Sequence, residues 1–519
     1  MTRSVDSLPR FIWSLIARLA ILATIPLSML VGCVRPAPDI NIDNGMISVQ
    51  PDSSPPTSQS QENQSSDVQT GTAVATSPNP PSAVDTGKFF ILHTVQEGDT
   101  LGSIAEQYGT STTTLVILNQ IADINIILAG QNLRVPGPEY EALVAPSFEI
   151  IPDSELVYGP SASTFDVQSF SESFSGYLPI HEEEVEGQSL TGPDIVQLVA
   201  DRHSVNPRLL LALLEYQSHW VTQEKPQEIK FALGYHNDDM SGLYQQLSWA
   251  ANLLNWGYYG RSEGGMTSFL IGSEIPVSFA SDIGLGTAGV QNYLAARDNV
   301  SYESWLHDVG PDGFSATYNE LFGEPIVHSN PTLLPDDLNQ PPFKLPWGSG
   351  ETWYFTGGPH GGWNTGSAWA ALDFVPPDTQ GGCSPTESWV TAVADGIVSR
   401  SGFGAVVIDL DADGYSGTGW AVIYMHLQNR DRVPVGRQVK TGDPLGHPGC
   451  EGGFTNGTHV HIARTFNGRW ISADGTLPFD LNGWISQGAG YEYNGWLVRD
   501  GETKTADIFH TDDNAITAD

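Results

Sequence analysis

The sequence predicts a multidomain protein in which a small mixed module, a mostly α middle domain and a C-terminal, mostly antiparallel β domain follow one another. Three observations carry that prediction. Apolar residues recur with helical spacing in the first two blocks and alternate with period two in the third, polar or proline-rich stretches separate the blocks, and 519 residues suffice for several cores. The 22 basic and 60 acidic side chains leave a formal charge of −38, which favours solubility and opposes non-specific binding to nucleic acid or anionic lipid. No Gly-rich phosphate loop follows a strand and no basic aromatic patch is present, so no nucleic-acid partner is expected.

Residues 1–33 read as an export signal. Arg3, Arg10 and Arg18 precede the apolar run LAILATIPLSMLV, which is short for a membrane span and fits the central part of a signal peptide. The following LVGC resembles a bacterial lipobox, which implies that Cys33 is the lipidated first residue of the mature chain. An extracytoplasmic location, anchored by lipid to the outer face of a membrane, is the expectation. Residues 34–90 carry almost nothing large and apolar over VQPDSSPPTSQSQENQSSDVQTGTAVATSPNPPS, so they cannot offset chain entropy by burial and are expected to be a disordered tether.

In residues 91–137, Thr100 is placed to cap a helix with apolar Leu101, Ile104 and Ala105, and Gly109 to close it. HTVQEGDTLGSIAEQYG, LVILN and LAGQNLRVP together resemble a LysM module, which implies a β-α-α-β fold and binding to N-acetylglucosamine polymers such as peptidoglycan. Residues 138–188, acidic and serine-rich, read as a linker.

Residues 189–324 read as helical. Asn206-Pro207 is a good helix start, and RLLLALLEYQSHW is apolar around most of its turn. VNPRLLLALLEYQSHW resembles the first catalytic helix of lysozyme-like lytic transglycosylases, where a glutamate precedes a serine; here Gln217 precedes Ser218. Glutamine cannot donate and recover a proton near neutral pH, so the domain is expected to pack or grip glycan without cleaving it. A transglycosylase acting through Glu228 or Glu263 is the alternative; Glu215 lies about 200° round the helix. Residues 325–346 are proline-rich and read as a second linker.

From 347 to 499, VTAVADGIVSRSG, AVVIDL and WAVIYMHL read as strands between glycine turns. Alternation puts Val422, Tyr424 and His426 on one face, and His459 and His461 together on another strand. Asp373 turns out of the core that Leu372 and Phe374 enter. DLDADG begins like a calcium loop but has Trp420 at the twelfth position, which favours a hydrated hairpin. His447, in a GHPG turn, reads as a surface side chain. Cys383 and Cys450 are free to form a disulfide in an oxidising compartment. Residues 500–519 read as an acidic tail.

His360, Asp373, VTAVADGIV, YMHL, VPVGRQVKTGDPLGHPG and THVH stand in the order of the M23 family of zinc metallopeptidases, lysostaphin-like and LytM-like enzymes that cut peptide bonds in peptidoglycan. The resemblance implies that His360, Asp373 and His461 bind Zn2+ and that His426 and His459 are catalytic. Family members commonly have the first two ligands four residues apart, whereas these are thirteen apart; an inserted loop, GGWNTGSAWAA, accounts for the difference. Asp378 is the alternative carboxylate. The expected function is a lipid-anchored peptidoglycan endopeptidase held to the wall by LysM, the alternative a non-catalytic wall-binding protein that activates or positions other hydrolases.

Overall fold

A computed structural model describes the chain from Phe90 to Asp519, apart from residues 97, 111, 120, 122–126, 138–142, 273–274, 331 and 380. The expected export signal, Cys33 and the tether up to residue 89 lie outside the described residues. Among the described residues, no helix is long and apolar enough to cross a membrane.

The N-terminal module has the expected β-α-α-β order. Strands Phe90–Thr94 and Asn132–Pro136 pair antiparallel, with helices Leu101–Gln107 and Thr112–Asn119 between them. Thr100 and Ser103 form a reciprocal capping box, each side chain accepting from the other's backbone N–H at 3.0 and 2.9 Å. Ile104, Leu115, Leu133 and Val135 have no exposed surface and close the core.

The helical domain is built round Pro207–Ser218, whose residues Leu209 to Leu214 are all fully buried, as expected of a helix apolar around most of its turn. Asn206 caps it by accepting from Arg208 N at 3.0 Å. Helices Phe314–Phe322 and Gly192–His203 pack against it, and Leu243–Ser262 and Leu285–Ala296, packed on each other, complete the same core.

Two expected linkers are instead part of the fold. In the 138–188 stretch, Ile150, Ile151, Leu156 and Val157 enter the helical core. The backbone N–H groups of Ile150 and Ile151 donate to Thr287 Oγ1, and the buried Glu155 carboxylate accepts from Asn206 and Tyr318. In the 325–346 stretch, Leu333 joins that same core while Phe343 and Leu345 enter the core of the β domain. Among the described residues the first stretch holds only short elements, such as helix Val167–Glu172 and strand Glu182–Val185, and the second only the single turn Pro325–Val327, too short for either period to reveal their burial.

The β domain is a nine-stranded antiparallel sheet. Its spatial order is Gln438–Val439, Gly396–Gly402, Ala405–Asp409, Trp420–Met425, Val460–Phe466, Ala371–Val375, Thr352–His360 and Ala515–Thr517, with Arg469–Trp470 also paired to Val460–Phe466. The last strand corrects the tail reading of 500–519. Ile516 is 1% exposed, and Asn514 Nδ2 donates to the carbonyls of Phe355, Asp507 and Phe509, so the chain end covers a sheet edge.

Alternation divides the sheet as read from sequence. Leu372, Phe374, Val422, Tyr424, Val460 and Ile462 face one core. Ala371, Ala421, Ile423, Met425 and Ala463 face the other way and belong to the same core as the helical domain. Trp470 fastens the two, with its backbone N–H on Tyr259 Oη at 3.0 Å and its Nε1–H on the His203 carbonyl at 3.2 Å. The face that meets the helices is the one whose upper end carries the site.

Candidate metal centre and catalytic cleft

Register brings the ligands together. Asp373 stands directly opposite His461 in the antiparallel pair, and His360 ends the strand on the other side of Asp373. His360 Nε2 lies 3.0 Å from His461 Nδ1, and Asp373 Oδ1 lies 3.3 Å from each of them. Ligand atoms 2.0–2.1 Å from zinc at tetrahedral angles are separated by roughly 3.3 Å, so this triangle has the dimensions of one face of a zinc site.

The hydrogen bonds behind the triangle fix the tautomers. A carbonyl only accepts, so the ring nitrogen facing it carries the proton. His360 Nδ1 donates to Gly358 O at 2.8 Å and His461 Nε2 to Gly362 O at 3.0 Å. In neutral rings the facing nitrogens, His360 Nε2 and His461 Nδ1, are then bare lone pairs beside a carboxylate. Asp373 Oδ1 is buried and has no hydrogen-bond partner. Three acceptors converging without a donor are a cation site, and a single metal ion is what they fit. Burial pushes the Asp373 carboxyl up, but positive charge on His360 and His459, the charge a bound cation would replace, outweighs it and holds the group well below the usual carboxylate range.

Two further histidines flank the open side. His459 Nδ1 donates to Gly457 O at 2.8 Å, leaving Nε2 facing inward, 3.6 Å from Asp373 Oδ1. His426 Nδ1 donates to Glu451 O at 3.0 Å, and its ring centroid is 4.5 Å from that of His459. Simple alternation would put His426 on the Val422 and Tyr424 face, away from the site. The structure corrects this: His426 has φ 64°, a left-handed conformation that turns its side chain over to the face of His459 and His461. Such a conformation costs about 1–3 kcal/mol in a residue with a Cβ and is kept where the surroundings demand it. Burial, together with His459 and His461, pulls the His426 ring down to about 3, so it is neutral at physiological pH.

The inserted loop is a working part of the centre. Its Gly362 carbonyl holds His461, Gly362 N donates to Ala368 O at 3.0 Å, and Gly366 N donates to Asn252 Oδ1 of the helical domain at 2.7 Å. Asp378, the alternative ligand, instead accepts from Thr386, Ser388 and the backbone of Glu387. Cys383 and Cys450 form a disulfide with Cα atoms 5.8 Å apart, tying the segment before Thr386 to the segment whose Glu451 carbonyl orients His426. Asp409, Asp411 and Asp413 gather in the expected hairpin, with Asp409 accepting from Gly414 N at 2.8 Å. His447 is not a surface residue: it is 2% exposed, its ring centroid 4.0 Å from that of Trp389 and its Nδ1 on Ser388 O. The short turn motif hid that packing.

Sequence reasoning missed the backbone carbonyls that set the tautomers and Tyr493, whose ring stacks on His360 with centroids 4.2 Å apart. It also missed Gly357, which lies opposite Asp373; a Cβ there would sit 2.6 Å from Asp373 Oδ2. Gly357→Ala should therefore displace the carboxylate and weaken zinc binding by about 10–100-fold, the scale of losing a group that orients a ligand, as read by competition with a chromogenic chelator.

In the helical domain, Gln217 Oε1 accepts from Arg297 at 2.8 Å, and that guanidinium also pairs with Asp308. Glu215 accepts from Val221 N and Thr222 N, Glu228 from Lys230 N, and Glu263 pairs with Arg469. The structure gathers none of these three carboxylates with Gln217.

A cage of two histidines and an aspartate at the end of an antiparallel sheet, with two more histidines beside it, defines a metallopeptidase centre. Comparison with known proteins agrees in class. The Peptidase family M23 model matches residues 383–473 and takes in His426, His459 and His461, while geometry supplies His360 and Asp373 upstream. The LysM domain model matches residues 93–136, so the chain carries a LysM domain and a C-terminal M23-family domain with an intact His–Asp–His set. An M23 domain so equipped supports catalytic zinc-peptidase activity. The helical block matches the LasA N-terminal domain model over residues 149–333, a span that includes most of the first expected linker.

Among individual proteins, the chain is similar to Protease LasA from two strains of Pseudomonas aeruginosa. One is 23% identical over 349 residues and the other 24% identical over 354, each alignment covering 64% of this chain and 77% of the relative. Among solved structures, the M23 metalloprotease pseudoalterin from deep-sea is 26% identical, covering 33% of this chain and 96% of that one with a TM-score of 0.27.

Proposed function

We propose that the protein is an exported zinc metallo-endopeptidase that hydrolyses peptide bonds in peptidoglycan stem peptides or cross-bridges, held to the wall by its LysM domain and to a membrane through lipidated Cys33. The observation that carries the reading is the triangle of three bare acceptor atoms, His360 Nε2, Asp373 Oδ1 and His461 Nδ1, one of them buried without a partner. Zinc held there supplies a polarised carbonyl and a water of lowered pKa. His459, whose Nε2 faces the open side, takes the proton from the attacking water and passes it to the leaving amine. His426, whose Nδ1–H is held by the Glu451 carbonyl, stabilises the charge that develops on the scissile oxygen once that charge has drawn a proton to its otherwise bare Nε2. Both rings have Nδ1 on a carbonyl, so the two roles are interchangeable between them.

The likeness to Protease LasA supports the peptidase half of this reading, and the LysM match supports the wall as its location. A module that grips glycan raises the local concentration of stem peptides without adding a contact at the catalytic centre. Gln217, engaged by Arg297, supports a non-catalytic role for the helical domain.

Purified full-length protein with stoichiometric zinc should release new amino termini from peptidoglycan sacculi, lose that activity to a chelator and regain it with zinc, and yield no anhydro-muropeptides. Zinc-loaded protein that releases no amino termini from defined muropeptides would sink the endopeptidase reading in favour of a wall-binding role.

A further inference from the structure

The cleft over the metal centre is not made by the β domain alone. It has a volume of 1380 Å³, and its lining includes His360, Asp373 and His461 on one side and His203, Tyr244 and Ser248 of the helical domain on the other. His203, the last residue of helix Gly192–His203, is 1% exposed, yet its Nδ1 has no hydrogen-bond partner in the protein. Ser248, on helix Leu243–Ser262, likewise has a buried hydroxyl with no partner. A buried polar atom left unpaired costs about 1–3 kcal/mol, so most are paired. Two of them, from different helices, on the lining of one cleft point to a group that enters the cleft and pairs with them.

The surroundings hold this wall in place. The His203 carbonyl accepts from Asn255 Nδ2 at 2.7 Å and from Trp470 Nε1 at 3.2 Å. Beside it, the buried Arg202 guanidinium pairs with Glu186 at 2.9 Å and lies 4.9 Å from the Trp363 ring centroid. The His203 ring meets Trp363 edge-on with centroids 6.3 Å apart. Trp363 follows Gly362, whose carbonyl orients His461, so His203 borders the metal cage through a single residue of the inserted loop, and Ser248 lines the same cleft.

The chemistry of the pair narrows the ligand. Burial and the Arg202 charge push the His203 ring down to about 3, so at physiological pH it offers one neutral donor and one neutral acceptor. A serine hydroxyl offers the same two capacities. Neither carries a charge of its own, so the group that satisfies the pair is a neutral one with both a donor and an acceptor. A planar amide, with one N–H and one C=O, carries the complement of each, and it has a flat face for the indole. We propose that His203 and Ser248, with Trp363 alongside, form a substrate subsite for an amide group next to the metal centre. The amide comes either from the backbone of a stem peptide or from the N-acetyl group of an amino sugar. The subsite's place in catalysis rests on the peptidase reading; its ability to bind does not.

The test uses the full-length protein freed of metal, so that binding is measured without turnover. Tryptophan fluorescence follows titration with a sugar-free stem peptide and, separately, with the N-acetylated wall disaccharide, for wild type, Ser248→Ala and Ser248→Ala/His203→Leu. The double variant should bind one of these ligands about 10-fold more weakly, the scale of losing hydrogen bonds to buried groups. A loss confined to the peptide assigns a backbone amide, and a loss confined to the disaccharide assigns the acetamide. Equal affinities in wild type and variants for both ligands, or no binding of either by wild type, would overturn the subsite. Should His203→Leu unfold the chain, Ser248→Ala carries the test alone, because its hydroxyl makes no bond within the protein; weaker binding supports the subsite and unchanged binding overturns it. Wild type that binds in this way but cleaves nothing when reloaded with zinc refutes the peptidase reading and leaves the subsite standing.

Discussion

Replacing His461 with alanine should leave the full-length protein without bound zinc and without hydrolysis, whereas His459→Ala should keep its zinc and lose about 10²–10⁴ in kcat. The difference follows from where the two rings stand, although they lie two residues apart on the same face. His461 Nδ1 is one corner of the ligand triangle, 3.0 Å from His360 Nε2 and 3.3 Å from Asp373 Oδ1. Removing it leaves two ligands, too few to hold the ion against water. His459 stands one position further out, 3.6 Å from the same carboxylate oxygen. Its loss removes a proton carrier and leaves the triangle intact. Elemental analysis of dialysed protein, paired with turnover of a defined muropeptide, reads both quantities on one sample. A His459→Ala protein that comes through dialysis without metal would contradict this division of roles.

Much of the site was legible because a strand has a period of two. His459 and His461 sharing a face, and Asp373 pointing away from Leu372 and Phe374, needed only that rule and the short strand segments around them. His426 did not obey it. A single left-handed residue at the end of Trp420–Met425 moves its ring from one face of the sheet to the other, and nothing in YMHL announces a positive φ at a histidine. The inserted loop was legible as an insertion, but its function lies in backbone carbonyls, which every residue has and no side-chain pattern marks.

The fold shows the same division. Helix Pro207–Ser218 and the small module followed from periodicity and caps, because long or well-capped elements carry their own signal. The two expected linkers misled because serine, acid and proline content stands for solvent exposure only on average. Glu155 is fully buried, with Asn206 and Tyr318 as partners, and Ile150 and Ile151 are held by one threonine, 137 and 136 residues away. Contacts of that sequence separation leave no local trace.

The chain from residue 347 to 519, expressed without the helical domain, should fail to give a soluble, cooperatively folding monomer even though it contains every metal ligand. The sheet face that carries the site is covered by the helices over Val407, Ile423, Met425 and Trp470, each 6% exposed or less, with Ala371, Ala405, Ala421 and Ala463 filling the spaces between. Uncovering a large apolar side chain costs roughly 1.5–3 kcal/mol, so the four large ones alone amount to about 6–12 kcal/mol. That is comparable with the whole stability of an ordinary domain, about 5–15 kcal/mol. Truncation also removes Tyr259 and the His203 carbonyl as partners of Trp470, and Asn252 as the anchor of the loop that orients His461. Analytical ultracentrifugation, near-ultraviolet circular dichroism and dye binding would compare the 347–519 piece with a piece beginning at residue 143. The longer piece should be monomeric, with fixed aromatic signals and a sharp melt. The shorter one should aggregate or bind dye with its aromatic signals lost. A monomeric 347–519 piece that melts cooperatively near the temperature of the longer one would show that the helical domain is an accessory to the peptidase sheet rather than half of its core.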